Sequence, residues 1–96
     1  MPLFAIHCLD KPASLDLRLA NRQAHLAYVG GFKDQARVGG PLLDAEGNMA
    51  GSLLVMEFED LAAAQAFSAE DPYVKAGLFQ RVDITAFKAT LGGFST

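Results

Sequence analysis

The stretch Ser52-Leu53-Leu54-Val55-Met56-Glu57-Phe58, continuing through Glu59-Asp60-Leu61-Ala62-Ala63-Ala64-Gln65-Ala66-Phe67, decides the reading of this chain. Its first seven residues alternate as a strand does: Leu54, Met56 and Phe58 share one face, Leu53 and Val55 the other. Asp60 is a natural N-cap, and alanine, the best helix former, fills the run behind it. A helix over residues 61–67 therefore follows the strand directly. A strand apolar on both faces needs cover on both, and a returning helix supplies only one.

Working outward, residues 36–43 read as a strand bent by Gly39-Gly40-Pro41, joined to the quoted strand by Asp44-Ala45-Glu46-Gly47-Asn48, a turn by composition. Residues 3–9 are a continuous apolar run of strand length, closed by Asp10-Lys11-Pro12. Between these strands Ser14 reads as an N-cap and Asp16 suits the positive end of a helix dipole. That helix runs to Gly30-Gly31, with Leu15, Leu19, Leu26 and Val29 as one apolar stripe expected to be buried. Downstream, Asp71-Pro72 ends the second helix, a short turn follows, and residues 80–91 form a last strand in which Val82, Ile84 and Ala86 alternate. Residues 92–96 read as a loose tail. The order β-α-β-β-α-β is that of a ferredoxin-like α+β fold: one domain over residues 1–96, with a four-stranded antiparallel sheet and two helices on one face. The first strand repeats the two-faced pattern, Leu3, Ala5 and Leu9 against Phe4, Ile6 and Cys8. The uncovered face would be a large apolar patch, so a homodimer, or a higher assembly of the same chain, is expected to cover it.

Composition narrows the function. The chain has 96 residues, half of them hydrophobic, with eight Lys and Arg against eleven Asp and Glu. A net charge of −3 argues against a nucleic-acid partner, which would need clustered positive charge. Residues 1–9 lack a basic leader segment and are cut off by Asp10 and Lys11, so neither a signal peptide nor a membrane span is expected, and the chain reads as cytoplasmic. The single cysteine, Cys8, lies in an apolar run and reads as core filler; no internal disulfide or Cys-x-x-Cys pair is possible. Two histidines in separate elements, His7 and His25, do not make a metal site.

The chemistry-bearing residues gather on the first helix. On a wheel of about 100° per residue, Arg22 falls inside the leucine stripe, with Arg18 and His25 on its flank. A charged arginine among leucines requires a carboxylate or a bound anion, or else the edge of the protein where its head can reach water. Arg22 is accordingly expected to point at Asp71 or at an anion. His7 alternates with core residues and reads as a sheet histidine, whereas His25 can act as acid or base. Its candidate carboxylate is Asp71, in Asp71-Pro72-Tyr73, although an Asp before Pro also serves simply to end a helix. Ser52 is a polar residue on a face otherwise apolar and could point into a pocket, whereas Tyr73 could simply pack.

These residues resemble the YciI-like family (the YCII-related domain). The resemblance rests on Arg22-Gln23-Ala24-His25-Leu26, on Gly39-Gly40-Pro41-Leu42, on Gly51-Ser52, on the run from Glu57 to Ala66, on Ala69-Glu70-Asp71-Pro72-Tyr73-Val74-Lys75-Ala76-Gly77, and on residues 82–88. It implies a dimeric α/β barrel, related in architecture to muconolactone isomerases and cofactor-free small monooxygenases, with a pocket between sheet and helices in each protomer. It also implies a catalytic His–Asp dyad, here His25 and Asp71, and one member of the family acts on chlorinated hydroxyquinones. The expectation is an enzyme without metal or organic cofactor, performing isomerisation, elimination or a dehydrochlorination-like step on a small aromatic or anionic molecule. Arg22 and Arg18 would hold an anionic group, with Ser52 and Tyr73 lining the pocket. The competing reading is a non-catalytic dimeric module that binds a small metabolite through the same residues.

Overall fold

The computed structural model describes residues 1–93; residues 94–96, most of the expected tail, lie outside the described residues. Seven elements follow one another: β1 (Leu3–Asp10), α1 (Leu15–Gly30), β2 (Ala36–Leu43), β3 (Met49–Glu57), α2 (Leu61–Ala69), α3 (Pro72–Lys75) and β4 (Phe79–Phe87). The strands form one antiparallel sheet in the order β2-β3-β1-β4. This is the ferredoxin-like arrangement, with the most apolar strands, β1 and β3, side by side at the centre.

The register sorts the side chains. Phe4 faces Met56, Ile6 faces Leu54 and Ile84, and Cys8 faces Ser52 and Val82. These residues lie on the helix side, where Phe58, Ala64 and Phe67 complete the core and Tyr28, Val29 and Phe32 pack against it. Strand β1 can lie this close to β3 because residue 51 is glycine. A Cβ there would stand 2.5 Å from the Cys8 carbonyl oxygen. On the other face, Ala5 pairs with Val55 and Thr85, and His7 with Leu53 and Asp83. Among the described residues no helix covers that face.

Local chemistry explains most boundaries. The Asp60 carboxylate accepts from the Ala63 N–H at 2.8 Å and starts α2. Asp44 Oδ1 accepts from the Glu46 and Asn48 N–H groups, and Gly47 takes φ +85°, which closes the β2–β3 turn. Three expectations need correction. The last strand ends at Phe87 and not at residue 91, because its partner β1 starts at Leu3, opposite Phe87. The turn after Asp71-Pro72 is a short helix, α3, which Asp71 caps and Pro72 opens. The Ser14 side chain makes no cap bond to α1 and donates instead to the Pro12 carbonyl oxygen. Among the described residues no helix is long and apolar enough to cross a membrane.

Candidate active site

Helix α1 buries its polar line and leaves part of its apolar stripe open. Arg18 and His25 are 2% and 7% exposed, whereas Leu19 and Leu26 are each 51% exposed. The wheel assigned the inside to the leucines, and that assignment is corrected: the inward side of α1 is the one that reaches Asp10, Ser52 and Asp71. Arg18 and His25 sit two turns apart, about 10.5 Å along the axis, so one helix edge serves two separate carboxylates.

At the lower turn the Arg18 guanidinium grips Asp10 with two bonds, Nε to Oδ2 at 2.8 Å and Nη2 to Oδ1 at 3.1 Å. Nη2 also donates to Ser52 Oγ at 2.8 Å. Burial works against the charge on Arg18, but the hydrogen bond and charge of Asp10 outweigh it and hold the guanidinium above its ordinary pKa. Asp10 is the residue that sequence reading missed, having passed as a strand terminator. The signal was present: Asp10 continues the inward alternation of Phe4, Ile6 and Cys8, and an inward carboxylate needs a cation.

At the upper turn His25 Nδ1 lies 2.8 Å from Asp71 Oδ1, with both side chains buried. The same oxygen accepts the Tyr73 N–H at 2.9 Å as the cap of α3. An ionised Asp71 can only accept, so Nδ1 carries the hydrogen and Nε2 keeps a lone pair in the neutral ring. The Tyr73 ring stacks on the imidazole, centroids 4.0 Å apart and 14° from parallel, and the Arg18 guanidinium lies 4.7 Å from the same ring centroid. Burial pushes the Tyr73 hydroxyl above its usual range, with Arg18 and Arg22 pulling partly back.

These groups border one cavity of about 250 Å³ between α1 and the β2–β3 half of the sheet. Arg18, Arg22, His25, Ser52 and Tyr73 all line it, and Asp71 stands behind His25. Leu26, Met49 and Leu54 make much of the rest apolar. Gly39 of β2 also lines the cavity, and a Cβ there would meet Leu54 Cδ2 at 2.6 Å. Arg22 departs from expectation. It is exposed, forms no ion pair among the described residues and does not reach Asp71, so the buried, paired arginine is Arg18. Cys8 is buried in the core and burial, reinforced by Asp71, pushes its thiol up to about 12, so it is no nucleophile at neutral pH. No group of three or more His, Cys, Asp or Glu side chains able to hold a metal ion stands together among the described residues.

The chain belongs to the YCII-related domain family, whose model matches residues 2–88. It is 39% identical over 94 residues to protein YciI of Escherichia coli O6:H1, a match covering 90% of this chain and 96% of that protein. Among solved structures it is similar to 5-chloro-2-hydroxyhydroquinone dehydrochlorinase from Burkholderia phenoliruptrix, determined in complex with 2,5-dihydroxybenzoquinone. That likeness has a TM-score of 0.84 and 37% identity, and it covers 98% of this chain and 99% of the other. An antibiotic biosynthesis monooxygenase, 12% identical with a TM-score of 0.57 over 95% of this chain and 100% of its own, shares the fold alone.

Proposed function

We propose that this YCII-related domain is an acid/base enzyme that removes or relocates a proton on a small oxygenated ring, by elimination or isomerisation. The observation that carries this is the buried His25–Asp71 pair at 2.8 Å, with the imidazole itself lining the cavity. His25 Nε2 is the base and later the acid, and Asp71 holds the ring and its tautomer. Arg22, the exposed cation at the cavity, attracts a phenolate or carboxylate, and Tyr73 supports the imidazole from its face. Arg18 acts from within the frame, because Asp10 and Ser52 already take its Nε and Nη2. A cavity of about 250 Å³ suits a single substituted ring, since an apolar cavity of about 150 Å³ holds benzene. The 37% identity to a dehydrochlorinase along nearly the whole chain supports elimination as the reaction class. The chemistry assigned to these residues calls on no metal or organic cofactor. The working unit is a homodimer in the cytoplasm, formed through the sheet face that carries Ala5, Leu53 and Val55.

The test is direct. The purified protein is incubated with 5-chloro-2-hydroxyhydroquinone, and with a set of phenols and lactones, while chloride release and product formation are followed. Turnover above the uncatalysed rate is expected for at least one compound. Tight binding of these compounds with no turnover of any would replace the enzyme by a metabolite-binding module.

A further inference from the structure

We infer that Ser52 is a preset hydrogen-bond donor aimed into the cavity, and that the ligand presents it with a carbonyl or enolate oxygen. This rests on the acid/base reading above and names its substrate class. Arginine has donors only, so in the 2.8 Å contact between Arg18 Nη2 and Ser52 Oγ the serine oxygen must accept. The hydroxyl hydrogen of Ser52 is thereby turned away from Arg18. No acceptor within the described residues takes it, and Ser52, 4% exposed, lines the cavity. Arg18 cannot swing aside, because Asp10 holds it by two bonds. The cation polarises the hydroxyl and fixes its direction, which is the preorganisation that stabilises a developing negative oxygen.

Donor and base then divide the reaction. With the ring in its keto form and chlorine on the saturated carbon next along, His25 Nε2 takes a proton from the carbon beside the carbonyl, the C–H pair becomes a C=C bond, and the carbonyl π pair moves onto the oxygen held by Ser52. The enolate re-forms its carbonyl, its C=C pair shifts to the neighbouring carbon, and chloride leaves from there with its bonding pair. The proton passes from His25 to water. A ligand offering only an N–H or ammonium group at this point would leave the Ser52 hydrogen unmatched.

Calorimetric titration with 2,5-dihydroxybenzoquinone tests the assignment on the wild-type chain, Ser52→Ala and Ser52→Thr. Ser52→Ala should weaken binding by roughly tenfold to a hundredfold, the weight of a charge-assisted hydrogen bond. Ser52→Thr, which keeps the hydroxyl, should recover most of that loss, a rescue that a purely packing role would not give. Equal affinity of wild type and Ser52→Ala, or equal loss in both variants, overturns the donor role and leaves the acid/base reading standing. Failure of the wild-type chain to bind the quinone overturns both.

Discussion

Arg18 and Arg22 are one helical turn apart, and their surroundings reverse the parts that a helical wheel gives them. The requirement itself was legible in the sequence: an arginine on the inward side of this helix needs a carboxylate. Which arginine it was could not be read, because the wheel takes apolar residues to be inside, and here the inward side is the polar one. Arg18 and Asp10 have side chains only 3% and 5% exposed. Removing one member of such a pair leaves a buried charge without its partner. Arg18→Ala should therefore lower the free energy of unfolding by about 3–5 kcal/mol, whereas Arg22→Ala should change it by no more than about 0.5 kcal/mol. Urea denaturation of both variants checks this, and the opposite order would restore the wheel's assignment. His25 and Asp71, 46 positions apart, were legible as a candidate base and its carboxylate, but no local spacing links a helix to a loop so distant, and their role as a dyad came from the family resemblance.

Among the elements, the strands were the most legible, because a period of two survives in seven or eight residues. β2 emerges with the expected ends, and β1 and β3 shift by at most three residues. Helix α3 was not legible: four residues are too few to show a helical period, and Asp71-Pro72 reads equally as a stop and a start. That short helix matters, since its cap and the partner of His25 are the same carboxylate oxygen. Asp71→Asn separates the two duties. An amide oxygen can still accept the Tyr73 N–H and keep α3 formed. The same oxygen can still accept from His25 Nδ1–H, but a neutral amide no longer carries the charge that stabilises the imidazolium formed when Nε2 takes a proton. The rate constant kcat should fall by about 10²-fold or more, with a shift in Tm of only a few degrees. A large loss of Tm with kcat unchanged would reduce Asp71 to a helix cap.

At the scale of the whole molecule, the order β-α-β-β-α-β and the two-faced central strands were readable because both depend only on alternation and turn chemistry. The cavity was not, because it lies between α1 and the β2–β3 half of the sheet, elements whose juxtaposition no local pattern in the sequence shows. The face without helices carries Leu3, Ala5, Leu53 and Val55 at its centre, and Val38 and Phe87, 42% and 47% exposed, toward its edges. Sedimentation at micromolar concentration should give a dimer, and Val55→Asp should shift it toward monomer or unfold it; a wild-type monomer would refute the assembly. The acid/base site is the claim on which the rest depends, and one comparison tests it most directly. Chloride release from 5-chloro-2-hydroxyhydroquinone is measured for the wild-type chain and for His25→Ala, each at saturating substrate and each shown to be folded. The account predicts release by the wild type and a loss of about 10²-fold or more in the variant; equal rates in the two would contradict it.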